Sequence, residues 1–180
     1  METGRKRRWS GRSLVLLIPF LGVSLWYGSR AVGYVANLRV FSIPSASMSP
    51  ALAPGDRIAV DIRGGTPHRR EIWVFSMPQG GTAVKRVIGL PGETVRVSGG
   101  RVLVDDRPLD EPYLAAPITY SMPPVRLGAD EYFMMGDSRD ASHDSHVWGP
   151  LPGGLLIGRA EHRYWPKGRI GGLNRGPDRD

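Results

Sequence analysis

The 180-residue chain has no cysteine. Disulfides, thiolate nucleophiles and zinc–thiolate sites are thereby excluded, while the redox compartment stays unread. Acidic residues are missing from positions 13–39, and there is one long uncharged run, residues 13–29 (SLVLLIPFLGVSLWYGS), with no second spanning segment after it. Internal repeats and low-complexity tracts are absent, and few windows hold a helical period over three turns. Turn formers are plentiful instead. The 24 Gly and 16 Pro favour short strands and loops over helices.

The formal charge of +7 invites a nucleic-acid reading until its position is considered. Residues 1–12 carry Arg5, Lys6, Arg7, Arg8 and Arg12 against Glu2, and residues 13–39 add Arg30 and Arg39. The remaining 17 basic side chains face 16 acidic ones in residues 40–180. A phosphate-tracking surface, and so a nucleic-acid partner, is not supported. A topogenic signal is. Basic residues ahead of an apolar run place the N-terminus on the cytoplasmic side and residues 40–180 outside.

The run itself admits two readings. A tilted anchor over residues 13–37 requires Arg30 to snorkel, with Trp26, Tyr27 and Tyr34 in the interfacial belt. A cleavable secretory signal would use Ser29-Arg30-Ala31 as its small-x-small site. The bulky Trp26 and Tyr27, and the apolar AVGYVANL beyond Arg30, favour a retained anchor in the lipid bilayer.

Beyond residue 40 the pattern predicts one mainly antiparallel β domain over 40–170 and a disordered tail over 171–180. Strands are expected at 57–62, 71–77, 83–89, 94–98, 101–105, 131–135 and 155–161. Gly99-Gly100 is a two-residue hairpin turn, a place that needs φ > 0.

Three segments carry candidate chemistry. The first is IPSASMSP, residues 43–50, a serine-rich turn stiffened by Pro44 and Pro50; taken alone, its serines read as turn residues. The second is TAVKRVIGLPGE, residues 82–93. Lys85 and Arg86 are neighbours in a strand and point to opposite faces, so one can face solvent while the other faces inward. A lysine titrates near pH ~10.4 in water, and burial without a paired carboxylate lowers that value and makes it a usable base. The bland alternative is two solvated cations.

The third segment is EYFMMGDSRDASHDSHVWGPL, residues 131–151. Asp140, Ser142 and Asp144 alternate as in a calcium loop, but Ser145 stands where the loop needs Gly, and Leu151 where it needs Glu. His143-x-x-His146 lies in a Gly-flanked loop and is not a helical metal motif. A Ser-His-Asp triad through His143 or His146 is permitted, since triads are recognised by geometry. The residues alone indicate a hydrolase with its base undecided.

Together the three segments resemble the type I signal peptidases, membrane-bound Ser/Lys peptidases. The serine box S-x-S-M-x-P-x-L followed by G-D is matched by Ser45 to Leu52 and Gly55-Asp56, and the lysine box K-R-x-x-G-x-P-G by Lys85 to Gly92. The third box, G-D-N-R-D-x-S-x-D-S-R-x-W-G, is matched by Gly136 to Gly149, with Ser138 in place of Asn and His146 in place of Arg. Ala46 replaces a frequent Gly beside the central serine.

The resemblance implies a signal-peptidase-like antiparallel β domain behind one transmembrane helix. A small β insertion over about 94–128 would comprise the 94–105 hairpin and a Pro-rich return. It implies Ser47 as nucleophile, Lys85 as general base, and an oxyanion hole from the Ser47 N–H and the Ser45 hydroxyl. Ser142 would hydrogen-bond the Lys85 amine, supported by Asp144, while Asp137, Arg139 and Arg86 form an ionic brace. Phe41, Ile43, Pro44, Met48, Leu52 and Val84 would line pockets for small side chains of a preprotein substrate. Ser42 and Ser49 are left as turn and solvent contacts. No metal or cofactor is implied. Two rivals are a relative dedicated to one substrate and a non-catalytic tethered β domain.

Overall fold

In the computed structural model the described residues are 36–174. The basic segment 1–12, the expected anchor up to residue 35 and residues 175–180 lie outside them. Among the described residues no helix is long and apolar enough to cross a membrane.

The unit that begins at Leu38 is built from two antiparallel sheets. The larger contains β1 (Leu38–Ser42), β2 (Arg57–Asp61), β3 (Ile72–Ser76), β4 (Thr82–Gly89), β9 (Glu131–Met135), β10 (Leu151–Pro152), β11 (Leu156–Trp165) and β12 (Gly171–Gly172). Its order is β1-β2-β11-β3-β4-β9-β10, with β12 paired to β11. The smaller sheet, in the order β7-β6-β5-β8, is formed by β5 (Thr94–Ser98), β6 (Arg101–Val104), β7 (Arg107–Pro108) and β8 (Met122–Arg126). All seven expected strands are present.

The hairpin of β5 and β6 follows its sequence directly. Val95, Val97, Val102 and Val104 alternate inward, and Gly99 and Gly100 turn the chain at φ 59° and 75°. Positive φ at both central residues matches the right-handed twist of the strands. These valines pack on Ile88, Phe133 and Met135 from the ends of β4 and β9, joining the small sheet to the large one.

Central strands β3 and β4 behave differently. All but the last residue of β3 are buried, and so are the last five residues of β4. Ala83 and Val87 pack with Trp73, Phe75 and Met134, whereas Val84 joins Ile72, Val74 and Met48, and Ile88 joins the small-sheet core. With apolar layers on both faces, a strand loses its polar alternation.

Three features depart from the sequence reading. The insertion is a full four-stranded sheet, since the Pro-rich return contributes β8. Pro123 and Pro124 fall on an edge strand at a register shift, the setting in which proline costs no ladder hydrogen bond. Strand β1 starts one residue past the expected anchor and was not among the expected strands. The tail is ordered at least as far as Asn174: β12 pairs with β11, and the Asn174 side chain accepts from the Ile72 N–H and donates to the Ala160 carbonyl.

Gly89 marks where the two sheets meet. An added Cβ there would lie 2.5 Å from Val95 Cγ2, 2.7 Å from Leu127 Cδ1 and 2.9 Å from Phe133 Cβ. Gly89→Ala is therefore expected to destabilise the protein by about 1–3 kcal/mol, measured by denaturant unfolding followed through tryptophan fluorescence.

Candidate active site

The serine segment is a loop set into the end of the β1–β2 hairpin. Past the last strand pair, Ser42 with Arg57, the Ile43 N–H donates to the Asp56 carbonyl and the Gly55 N–H to the Ile43 carbonyl, closing the loop at its base. Inside it, Ser49 N–H donates to Ala46 O and Leu52 N–H to Met48 O. That helical turn puts Met48 and Leu52 on one inner face, where they join Ile43 in the core beneath the loop. Ser45 and Ser47 remain at the surface side, their hydroxyl oxygens 3.2 Å apart. Ser49 stays a turn residue, its hydroxyl directed at the Leu52 carbonyl.

Strand β4 delivers the lysine. Lys85 Nζ lies 2.7 Å from Ser47 Oγ. The expectation that only one of Lys85 and Arg86 would be inward is corrected here: each retains 5% exposure. They emerge on opposite faces of a strand that is covered on both. Burial pushes the Lys85 amine below its ordinary value, with the Asp144 and Asp137 carboxylates opposing that shift. Desolvation is the larger effect, as expected for an amine with no carboxylate in direct contact.

The loop after β9 closes over both. Ser138 N–H donates to the Ser47 carbonyl at 3.1 Å, tying the third segment to the first. Gly136 makes this approach feasible, since a Cβ there would sit 2.4 Å from the Ser47 carbonyl oxygen and 2.2 Å from Ser142 Oγ. Asp144 is wholly buried at the start of a short helix, Ser145–Trp148; it accepts from Gly136 N–H, His146 N–H and the His146 ring. Asp144 thus supports the loop as expected. Ser142 does not behave as expected. Its buried hydroxyl makes no hydrogen bond in this structure and rests over Gly136 rather than on the Lys85 amine.

The expected ionic brace resolves into two pairs. Arg86 binds Asp137 through two bonds, of 2.8 and 2.6 Å, and also donates to the Arg70 carbonyl. Arg139 pairs with Glu111 rather than with Asp137. Tyr113 links them: its ring lies 4.0 Å beneath the Arg86 guanidinium, and its hydroxyl donates to Glu111 at 2.7 Å. Burial, reinforced by Glu111, pushes the Tyr113 phenol up, so it remains a donor. Glu111 and Tyr113 lie in the return of the small sheet. Nothing in EPY, residues 111–113, marked them as partners of Arg139 in the loop after β9 and of Arg86 in β4.

The six expected pocket residues divide. Phe41 and Val84 are half-buried and Pro44 is exposed, so these three can meet a ligand. Ile43, Met48 and Leu52 are core side chains, with Met48 at 1% and Leu52 at 0% exposure. The two histidines of the third segment differ: His146 is bound to Asp144, and His143 is exposed. The alternating Asp140, Ser142 and Asp144 do not converge either, since Asp140 accepts from Thr119 N–H while Asp144 turns to Gly136 and His146.

Gly136→Ala is expected to displace Ser47 from Lys85. The measurement is acylation of Ser47 by a small serine-directed probe, which should slow by about 100-fold.

Three segments distant in sequence therefore place a hydroxyl against a desolvated amine at the edge of an apolar core. Residues 14–165 match the protein family described as "Signal peptidase, peptidase S26". A signal peptidase I of Leptolyngbya laminosa is 42% identical over 169 residues, covering 87% of this chain and 81% of that protein. A probable signal peptidase I-2 of Synechocystis sp. is 43% identical over 157 residues, covering 82% and 71%. A solved signal peptidase I structure from Enterococcus faecalis V583 aligns at TM-score 0.47 and 27% identity, over 53% of this chain and 97% of that one. With its serine, lysine and third-segment boxes folded into one site, the chain belongs to the S26 signal peptidase family.

Proposed function

We propose that the chain removes N-terminal signal peptides from exported preproteins through a Ser47–Lys85 dyad. The observation that carries this reading is the 2.7 Å approach of a buried lysine amine to a serine hydroxyl. Neutral Lys85 takes the Ser47 proton as Oγ attacks the scissile carbonyl. The Ser45 hydroxyl, 3.2 Å from Ser47 Oγ, and the Ser47 N–H stabilise the oxyanion. The C–N bond then breaks, and the leaving amine takes the proton from Lys85. The ester left on Ser47 is hydrolysed by a water that Lys85 deprotonates.

Phe41, Pro44 and Val84 offer shallow apolar contacts beside Ser47, which suits the small side chains of a small-x-small site. Met48 and Leu52 support that floor from inside the core. Residues 13–37 anchor the enzyme in the cell membrane, with residues 1–12 cytoplasmic and the β domain outside. This places the site near the surface where signal peptides emerge, because Ser47 lies only 17 residues beyond Arg30.

Cleavage of a preprotein by the detergent-solubilised full chain, read by product mass, tests the dyad. Ser47→Ala and Lys85→Met should both be inactive, while His143→Ala keeps most activity; an active Lys85→Met would reject the lysine base. The same Lys85→Met should unfold at higher denaturant, gaining about 1 kcal/mol at neutral pH, because it removes a buried amine. That gain should shrink as pH rises towards the ordinary lysine value, where the unfolded chain also loses its proton.

The rate should climb with pH as Lys85 becomes neutral. Burial holds the amine below its ordinary value, so kcat/KM should reach its plateau short of pH ~10.4. A flat profile from mildly acidic to alkaline pH would count against the proposal.

A further inference from the structure

Asp144 lies directly behind the dyad: it accepts from the Gly136 N–H, and Gly136 abuts the carbonyl of Ser47, whose hydroxyl meets the Lys85 amine. Asp144 and, less strongly, Asp137 draw that amine towards its ammonium form. They are compensated differently. Asp137 is clamped by the guanidinium of Arg86, a cation at every accessible pH. Asp144, with no exposed surface, has backbone donors from Gly136 and His146, and the ring of His146 at 2.8 Å. A carboxylate only accepts, so His146 Nδ1 carries a proton, either in the neutral Nδ1–H tautomer or in the imidazolium. Asp144 is therefore neutralised only while the ring is charged.

The ring is fixed as well as accessible. It stacks on Tyr120 with centroids 4.6 Å apart and an interplanar angle of 22°. One fifth of the His146 side chain is exposed, which lets it exchange protons with solvent. Tyr120 adds no competing charge: burial pushes its phenol up, reinforced by Asp144, Asp140 and Glu111 and opposed by Arg139.

We propose that His146 is a positioning residue for the base: acting through Asp144, its charge state sets how firmly Lys85 is held as an ammonium. When His146 is protonated, the Asp144 charge is cancelled and Lys85 gives up its proton more readily. When His146 is neutral, Asp144 acts on Lys85 uncompensated. The inference rests on Lys85 as general base.

The test is kcat/KM against pH for the full-length enzyme in detergent micelles, with a peptide substrate ending its leader in a small-x-small site. His146→Arg supplies a permanent cation and His146→Asn a neutral donor at the Nδ1 position. The ascending limb should move to lower pH in His146→Arg by roughly half a unit or more, and should lie at or above the wild-type position in His146→Asn. Should the Arg variant not fold, His146→Lys provides the cation. Limbs that superimpose in all variants, even with kcat lowered, overturn the inference and leave the dyad standing. A wild-type profile without an ascending limb removes the lysine base and this inference with it.

Discussion

A lysine amine is costly to take out of water, and the architecture around Ser47 follows from doing so. Lys85 can be buried because β4 is central in its sheet, with apolar layers on both faces, and because the serine loop covers the end of its side chain. Its hydrogen bond to the Ser47 hydroxyl is with a neutral group, which leaves desolvation the dominant influence on the amine. A carboxylate in that place would make a stronger ion pair and a worse base. The fold therefore keeps its anions one step back. Asp137 is saturated by Arg86, and Asp144 by backbone N–H groups and a histidine.

The second constraint is the closeness of three chain segments. Gly136 lets the third segment lie against the Ser47 carbonyl, and Ser138 hydrogen-bonds that carbonyl. The small sheet takes part through the loop between β7 and β8: Glu111 holds Arg139, Tyr113 stacks on Arg86, Thr119 N–H bonds Asp140, and Tyr120 stacks on His146. The insertion is thus a brace for the catalytic loop as well as an appendage packed on the core.

What could be read from the sequence were the local features. Alternating valines around Gly99-Gly100 define a hairpin without help from the rest of the chain, and the three boxes name Ser47 and Lys85. What escaped depended on tertiary cover. Lys85 and Arg86 could not both be read as inward from alternation, which assumes one wet face, and β4 has none. Met48 and Leu52 looked like pocket walls because they flank the serine, but a single helical turn rotates both inward. Glu111 and Tyr113 carried no local signal, since their partners, Arg139 and Arg86, lie on another loop and on β4. Ser142 matched its box position, yet its hydroxyl packs on Gly136 without a hydrogen bond; motif identity fixes a residue's place more firmly than its rotamer.

The serine loop also needs support from below, because past the β1–β2 ladder it has few backbone ladder bonds of its own. Asp56, buried at the loop's base, accepts from Ala53 N–H and Arg169, and Arg163 approaches it at 3.6 Å. The same two arginines donate to the Ala51 and Pro50 carbonyls, orphaned by the turn. Both come from the C-terminal end of β11 and the turn that follows it. Planar guanidinium forks can bridge a carboxylate and a carbonyl at once, which a lysine cannot do with the same rigidity. The loop that presents Ser47 is thus held by hydrogen bonds along its base, by apolar side chains on its inner face, and by two arginines from the far end of the domain. A hydroxyl held on three sides needs little further ordering to meet a peptide carbonyl.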